Sequence, residues 1–237
     1  MSLKAKVLII VPAYNEEESL PKLLQEIRSQ GYDLVVLDDA SADSTADVAK
    51  KEGVPVLSLA ANLGIGGAVQ TGFKYAVKND YDIVVQIDGD GQHDPAWLES
   101  VVSPILRGEA DCVIGSRYVS DSPDTDYKTP LPRRLGMYFS TGILFFATGI
   151  RVNDTTSGLR ALSRPAFECF ARTYPVDHPE AEALLMLHQR GFGILEVPVK
   201  MRGRVSGTSL FTITKACMYP LRVIIGFMGL WLKGRGN

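Results

Sequence analysis

Tyr81-Asp82-Ile83-Val84-Val85-Gln86-Ile87 runs without a break into Asp88-Gly89-Asp90-Gly91-Gln92-His93-Asp94. The first seven residues are mostly apolar and read as a buried strand. The next seven crowd three carboxylates, an amide and an imidazole behind it, and like charges at that spacing repel unless a cation or partner neutralises them. In an open α/β sheet, ligands gather beyond the strand C-termini, where such a loop would stand.

The segments upstream repeat the pattern. Lys6–Pro12 (KVLIIVP) is a continuous apolar run, and Glu16–Ser29 follows with Leu20, Leu23, Leu24 and Ile27 on one helical face. Strands are expected at Leu34–Leu37, Val54–Leu59 and Ala110–Ile114, and helices at Ser44–Glu52, Gly67–Lys78 and Pro95–Leu106. This alternation predicts an α/β fold with a Rossmann-like, mostly parallel sheet and helices on both faces. Right-handed crossovers then bring Tyr14–Glu16, Asp38–Asp43, Asn62–Gly67 and Asp88–Asp94 to one edge.

The second half is less regular. Ser120–Pro132 has three prolines and no apolar period, so it reads as a long loop. Ala181–Gln189 is expected as a helix ended by Gly191. Ile194–Met201 is expected as a strand whose interior Pro198 argues for the sheet edge.

Composition excludes several classes. With 25 Lys+Arg against 27 Asp+Glu the net charge is −2, so no basic field draws the chain to nucleic acid. Cys112, Cys169 and Cys217 fit neither a zinc pattern nor a paired disulfide framework, which suits a reducing cytosol. No stretch reaches the length of a transmembrane helix, and MSLKAK lacks a signal-peptide layout. No Gly-x-Ser-x-Gly elbow occurs, and His93, His178 and His188 share no ligand spacing.

Asp88 and Asp90 suit a hard divalent ion, since Mg2+ commonly takes one or two protein carboxylates plus phosphate oxygens. Asp94 is expected to cap the helix that begins at Pro95. Asp38-Asp39-Ala40-Ser41 offers carboxylates for a ribose hydroxyl or base edge, or else Ser41 or Asp43 caps the next helix. Asn62-Leu63-Gly64-Ile65-Gly66-Gly67 is neither a dinucleotide fingerprint, because Val69 blocks it, nor a Walker loop, because Phe73 stands where Lys is needed. It remains a glycine-rich entry to a helix, either near a base or sugar or simply a turn. Arg117, Arg133, Arg134, Arg160, Arg202 and Arg204 suggest anion recognition only as a set.

Val11–Glu16, Asp38–Ser41, Asn62–Gly67, Asp88–Pro95, Gly115–Tyr118, Asp154–Ala161 and Arg204–Ser209 together resemble family 2 of the inverting glycosyltransferases. The branch they resemble is that of dolichol-phosphate mannose synthases and bacterial polyprenyl-phosphate glycosyltransferases. The resemblance covers residues 7 to 210 in the family order. It implies a GT-A fold at 1–210, with a nucleotide-binding half (1–118) and an acceptor-side half (119–210). It also implies transfer from a nucleotide-diphosphate sugar, with inversion, to a lipid-linked acceptor or, alternatively, a soluble glycan; the rival from another class is a non-catalytic nucleotide-sugar binding protein.

By position, Pro12, Tyr14, Glu16, Asp39, Asn62 and Arg117 would bind the nucleotide with Asp88. Asp88, Asp90 and Gln92 would surround Mg2+ or Mn2+. Arg117 and Arg204 would face phosphate or acceptor, and Asp154 and Glu182 would be the acceptor-side or sugar-side carboxylates. Asp90, Asp154, Glu182 and Arg204 are the expected catalytic set. Leu210 stands where relatives acting on polyprenyl phosphate often carry Lys.

Two charge-poor stretches bear on the acceptor. Leu135–Ile150 and Met218–Leu232 are too short to span about 30 Å of hydrocarbon but long enough to lie in a headgroup interface. They read either as contacts to the cytosolic face of a membrane or as core or homodimer helices, the second belonging to an apolar segment at 211–237.

Overall fold

A computed structural model of the chain describes residues 5–119, 131–175 and 179–203. Seven strands, β1 (Val7–Ala13), β2 (Asp33–Asp38), β3 (Val56–Ser58), β4 (Ile83–Gln86), β5 (Cys112–Ser116), β6 (Arg160–Ser163) and β7 (Ile194–Pro198), form one sheet. Their order is β3-β2-β1-β4-β6-β5-β7. All neighbours are parallel except β6, which runs antiparallel to both β4 and β5. The sheet is continuous past residue 118, because β5 lies between β6 and β7. Pro198 ends an edge strand, where a missing N–H costs no ladder bond.

The helices are α1 (Leu20–Ser29), α2 (Thr45–Lys51), α3 (Gly64–Lys78), α4 (Leu98–Leu106), α5 (Leu131–Thr148), α6 (Arg164–Arg172) and α7 (Pro179–Gln189). Strand residues alternate between two cores. Ile9, Val11, Val36 and Val85 join Leu20, Leu23, Leu24 and Ile27 of α1, Ala49 of α2 and Leu98 and Val101 of α4. Leu8, Ile10, Val35 and Val84 join Val69 and Phe73 of α3, Phe167 and Phe170 of α6, Leu144 of α5 and Leu184 of α7. Each large side chain so buried contributes about 1.5–3 kcal/mol, which anchors the strand ends. Gly72 lets α3 lie close to the sheet: a Cβ there would stand 2.8 Å from Leu37 Cδ1 and 2.9 Å from Ile10 Cδ1.

The parallel βα units follow the expected order, with shifted ends. Helix α1 starts at Leu20 rather than Glu16, because Pro21 occupies its first turn, where a missing N–H is harmless. Helix α3 starts at Gly64, three residues inside the expected loop. Asp94 does cap: its side chain accepts from Ala96 N at 3.0 Å and opens a 3-10 turn at Pro95–Trp97, ahead of α4. Gly191 ends the α7 turn with a left-handed φ of 78°.

Two elements have no counterpart in the sequence reading, strand β6 and helix α6. Residues 120–130 of the expected long loop lie outside the described residues, and Leu131 and Pro132, expected as its end, already belong to α5. Arg204 and the 211–237 segment also lie outside them. Among the described residues no helix is long and apolar enough to cross a membrane. The described cysteines, Cys112 and Cys169, are free thiols, and burial pushes Cys112 up to about 12.

Candidate active site

The C-terminal ends of β1, β2 and β4 and the start of α3 enclose a cleft of about 520 Å³. Its wall holds Pro12, Tyr14, Glu16, Asp39, Asn62, Asp88 and Asp90, seven of the residues singled out in the sequence. Ile65 and Ala68 complete it from α3.

Local structure explains how each is held. Asn15 and Ala40, the turns after β1 and β2, both have left-handed backbone, with φ of 56° and 58°. The two turns are laced together: Asn15 N donates to Ser41 Oγ (3.1 Å), and Ala42 N donates to Asn15 Oδ1 (2.8 Å). Asp43 accepts from Thr45 N at 2.9 Å and from Glu17 N at 3.2 Å, so it serves the turn rather than the cleft.

Asp39 accepts backbone N–H bonds from Leu63 (2.7 Å) and Gly64 (2.9 Å), fastening β2 to the first turn of α3. Burial raises its carboxyl above the ordinary value. The two N–H bonds partly offset this, and the neighbouring Asp38 adds to it. Asp39 is thus both a helix cap and a wall of the cleft, and the glycine-rich segment 62–67 forms the helix entry beside it.

Ser19 was missed by the sequence reading. Its hydroxyl lies 2.8 Å from Glu16 Oε2 and 2.8 Å from the Gly89 carbonyl, tying the β1 turn to the acidic loop. Only its place before Pro21 marks it in the sequence. Gly89 N donates to Pro12 O (3.1 Å), and a Cβ on Gly89 would stand 3.0 Å from that oxygen and 3.2 Å from Ala13 Cβ. An alanine here would be tight, which glycine avoids.

Asp88 and Asp90 flank Gly89 on the cleft wall. Gln86 Nε2 lies 3.3 Å from Asp88 Oδ1, and Gln92 N donates to Asp90 Oδ1 at 3.0 Å. Gln92 itself is buried and is not part of the cleft wall, so it reaches the site through its backbone. Among the described residues no group of three or more His, Cys, Asp or Glu is preassembled as a metal cage. Two carboxylate ligands fit Mg2+ or Mn2+ that completes its shell with diphosphate oxygens and water.

The acceptor-side expectations meet a different arrangement. Arg117 and Asp154 face one another: Nε to Oδ2 at 2.7 Å and Nη2 to Oδ1 at 2.6 Å, with both side chains buried. Burial pushes the Asp154 carboxyl up, but the Arg117 hydrogen bonds and charge outweigh it and hold the group below its usual range. Glu196 accepts from Asn153 N and Asp154 N, both at 2.8 Å, and braces the same loop. Arg160 donates to the carbonyls of Ser157 and Thr155. Arg202 bridges Glu26 (2.6 Å) and Asp94 (2.8 Å). Three arginines of the expected anion-binding set therefore engage protein groups. Glu182 stands half-buried on α7, outside the cleft wall.

The family model described as glycosyl transferase family 2 matches residues 8–170. An undecaprenyl-phosphate mannosyltransferase of Micrococcus luteus is 32% identical over 235 residues, 89% of this chain and 93% of that one. A UDP-N-acetylglucosamine–dolichyl-phosphate N-acetylglucosaminyltransferase of Methanococcus voltae is 31% identical over 214 residues, 82% of this chain and 84% of that one. Among solved structures, glucosyl-3-phosphoglycerate synthase of Mycobacterium tuberculosis, in complex with Mn2+, UDP-glucose and phosphoglyceric acid, superposes with a TM-score of 0.72 at 22% identity. That match covers 95% of this chain and 79% of the other, and it establishes the fold. Every strand end that frames the cleft lies inside the matched residues, and so the chain belongs to glycosyl transferase family 2 and is a glycosyltransferase.

Proposed function

We propose that the chain moves a sugar, with inversion and with a divalent metal, from a nucleoside-diphosphate sugar to a lipid-linked acceptor of the polyprenyl or dolichyl phosphate type. The observation that carries this reading is the one cleft whose wall gathers Tyr14, Glu16, Asp39 and Asn62 together with the Asp88–Asp90 pair. The nucleoside occupies the first group and the diphosphate reaches the second. Asp88 and Asp90 hold the metal. Mg2+ or Mn2+ bound there supplies Lewis-acid neutralisation of charge on the leaving diphosphate. The Mn2+ and UDP-glucose named for the mycobacterial structure support both ligands.

A phosphate acceptor is supported by what a base would require. A sugar hydroxyl needs a carboxylate of matched pKa to take its proton, whereas a phosphate is already anionic. Asp154, one candidate base, is bound face to face by Arg117 and has its pKa lowered, which makes it a poor proton acceptor at neutral pH. The pair instead fixes the loop at 153–158. Relatives named for undecaprenyl and dolichyl phosphate support the same acceptor. Contact with a membrane surface is supported by α5, which turns Tyr138, Phe139, Phe145 and Phe146 outward.

The test is transfer of labelled sugar from UDP- and GDP-sugars to undecaprenyl phosphate or to a free oligosaccharide, with Mn2+ and with EDTA. Label in the lipid phase only with metal is expected. Label confined to the oligosaccharide would replace the lipid acceptor with a soluble glycan, and no transfer to either would remove the reading.

A further inference from the structure

We infer that Gly158 is a positioning residue, whose bare Cα is the wall against which the Asp88 carboxylate is set. A Cβ built on Gly158 would fall inside the Asp88 carboxylate, overlapping Oδ2 and Cγ. The contact joins segments seventy residues apart, the end of β4 and the loop before β6.

Backbone conformation does not explain glycine here. Gly158 is not one of the chain's left-handed glycines, so an alanine could adopt its φ. Space alone makes the demand, and the space is taken by a functional carboxylate rather than by a core side chain.

The wall is also stiff. Ser157 Oγ donates to Gly115 O at 2.6 Å, and Leu159 N donates to Ser157 Oγ at 3.2 Å. Gly115 N donates to Leu159 O at 2.9 Å, and Arg160 Nε donates to Ser157 O at 3.0 Å. Upstream, Asp154 is locked to buried Arg117. With the loop fixed on both sides, a methyl at 158 would displace the Asp88 side chain, which turns about only two bonds. The carboxylate would swing away from its place beside Gln86, and a metal shared with a diphosphate would lose one ligand.

This inference rests on Asp88 being a metal–diphosphate ligand, so the test separates the two. Calorimetric titration with UDP, and in parallel GDP, would be run with Mn2+ and with EDTA on wild type and Gly158→Ala. Expected is at least a tenfold loss of Mn2+-dependent affinity in the variant, with binding in EDTA unchanged. A purely structural role would weaken both. Affinity within twofold of wild type in Mn2+ would overturn the inference.

Thermal melts of Gly158→Ala, Asp88→Ala and the double variant complete the test without any ligand. Gly158→Ala should lower Tm in wild type but not in the Asp88→Ala background, where the methyl finds the vacated space. An equal loss in both backgrounds would overturn the contact. If the single variant fails to fold, a folded double variant supports the inference and an unfolded one rejects it. Should wild type bind neither nucleotide with Mn2+, the proposed function fails, while the melts still decide the contact.

Discussion

Asp90 and Asp154 show how environment divides the work of identical side chains. Asp90 stands on the cleft wall and accepts a backbone N–H bond from Gln92, and in the proposed reading its charge serves the diphosphate. Asp90→Ala is expected to keep its fold, since its side chain is only half-buried, and to lose about a thousandfold in turnover, as removal of a transition-state charge stabiliser does. Steady-state transfer beside a melting curve checks both halves. Asp154 is fully buried against Arg117, and Asp154→Asn strands that cation at a cost of about 3–5 kcal/mol at neutral pH. The sign with pH follows from its depressed pKa in the folded state. The stabilisation is complete above the ordinary value of 3.8 and is lost as pH falls through the folded value, so wild type and variant should converge in acid. Urea unfolding at stepped pH measures this, and a gap that stays constant below pH 3.8 would rule out the linkage. Ala40 is the opposite case, a side chain with left-handed backbone in the turn after β2. Ala40→Gly should gain about 1 kcal/mol by removing that strain, read as a higher urea midpoint at unchanged slope.

At the scale of the elements, α5 is the outlier. Met137, Ser140 and Leu144 point inward, and Ser140 Oγ lies 2.7 Å from Thr155 Oγ1, so this helix also supports the 153–158 loop. Its other face presents Tyr138, Phe139, Phe145 and Phe146, with Phe146 at 90% exposure and Arg151 over the Phe145 ring. An aromatic face with no acidic residue on the helix suits insertion at a lipid headgroup boundary. Tyr138→Ser with Phe146→Ser should therefore cut co-sedimentation with anionic liposomes several-fold. Stability should stay within about 0.5 kcal/mol, as for other surface changes. Equal recovery of variant and wild type would remove the membrane contact. The same scale shows what period-reading misses. Strand β6 offers only Ala161 and Leu162 between Arg160 and Ser163, too short a run to see. Its burial is conferred by β4 and β5 on either side. Helix α6 did carry signals, Pro165 in its first turn and Phe167 and Phe170 three apart, and could have been read.

Across the whole molecule, legibility divides between the cleft and the loop at 153–158. The cleft was readable because its residues follow apolar runs, and topology carries β1, β2, β4 and α3 to one edge. The loop at 153–158 was not, because its order comes from partners far apart in the chain, such as Arg117 with Asp154 and Glu196 with Asn153, which no local spacing announces. That division makes ligand-linked stability the sharpest test of the molecule as a unit. A ligand that binds only the folded chain stabilises it by about 2.7 kcal/mol at a hundred times its Kd, which for a domain of this size moves Tm by roughly 5–10 °C. One nucleoside diphosphate among UDP, GDP and dTDP should give that shift, and only with Mg2+ or Mn2+ present. Asp88→Asn with Asp90→Asn should lose the metal-dependent part while leaving the unliganded Tm near that of wild type, because neither carboxylate is fully buried. If the doubly substituted chain kept the full shift, the metal would have to be held elsewhere and the assignment of these two carboxylates would fall.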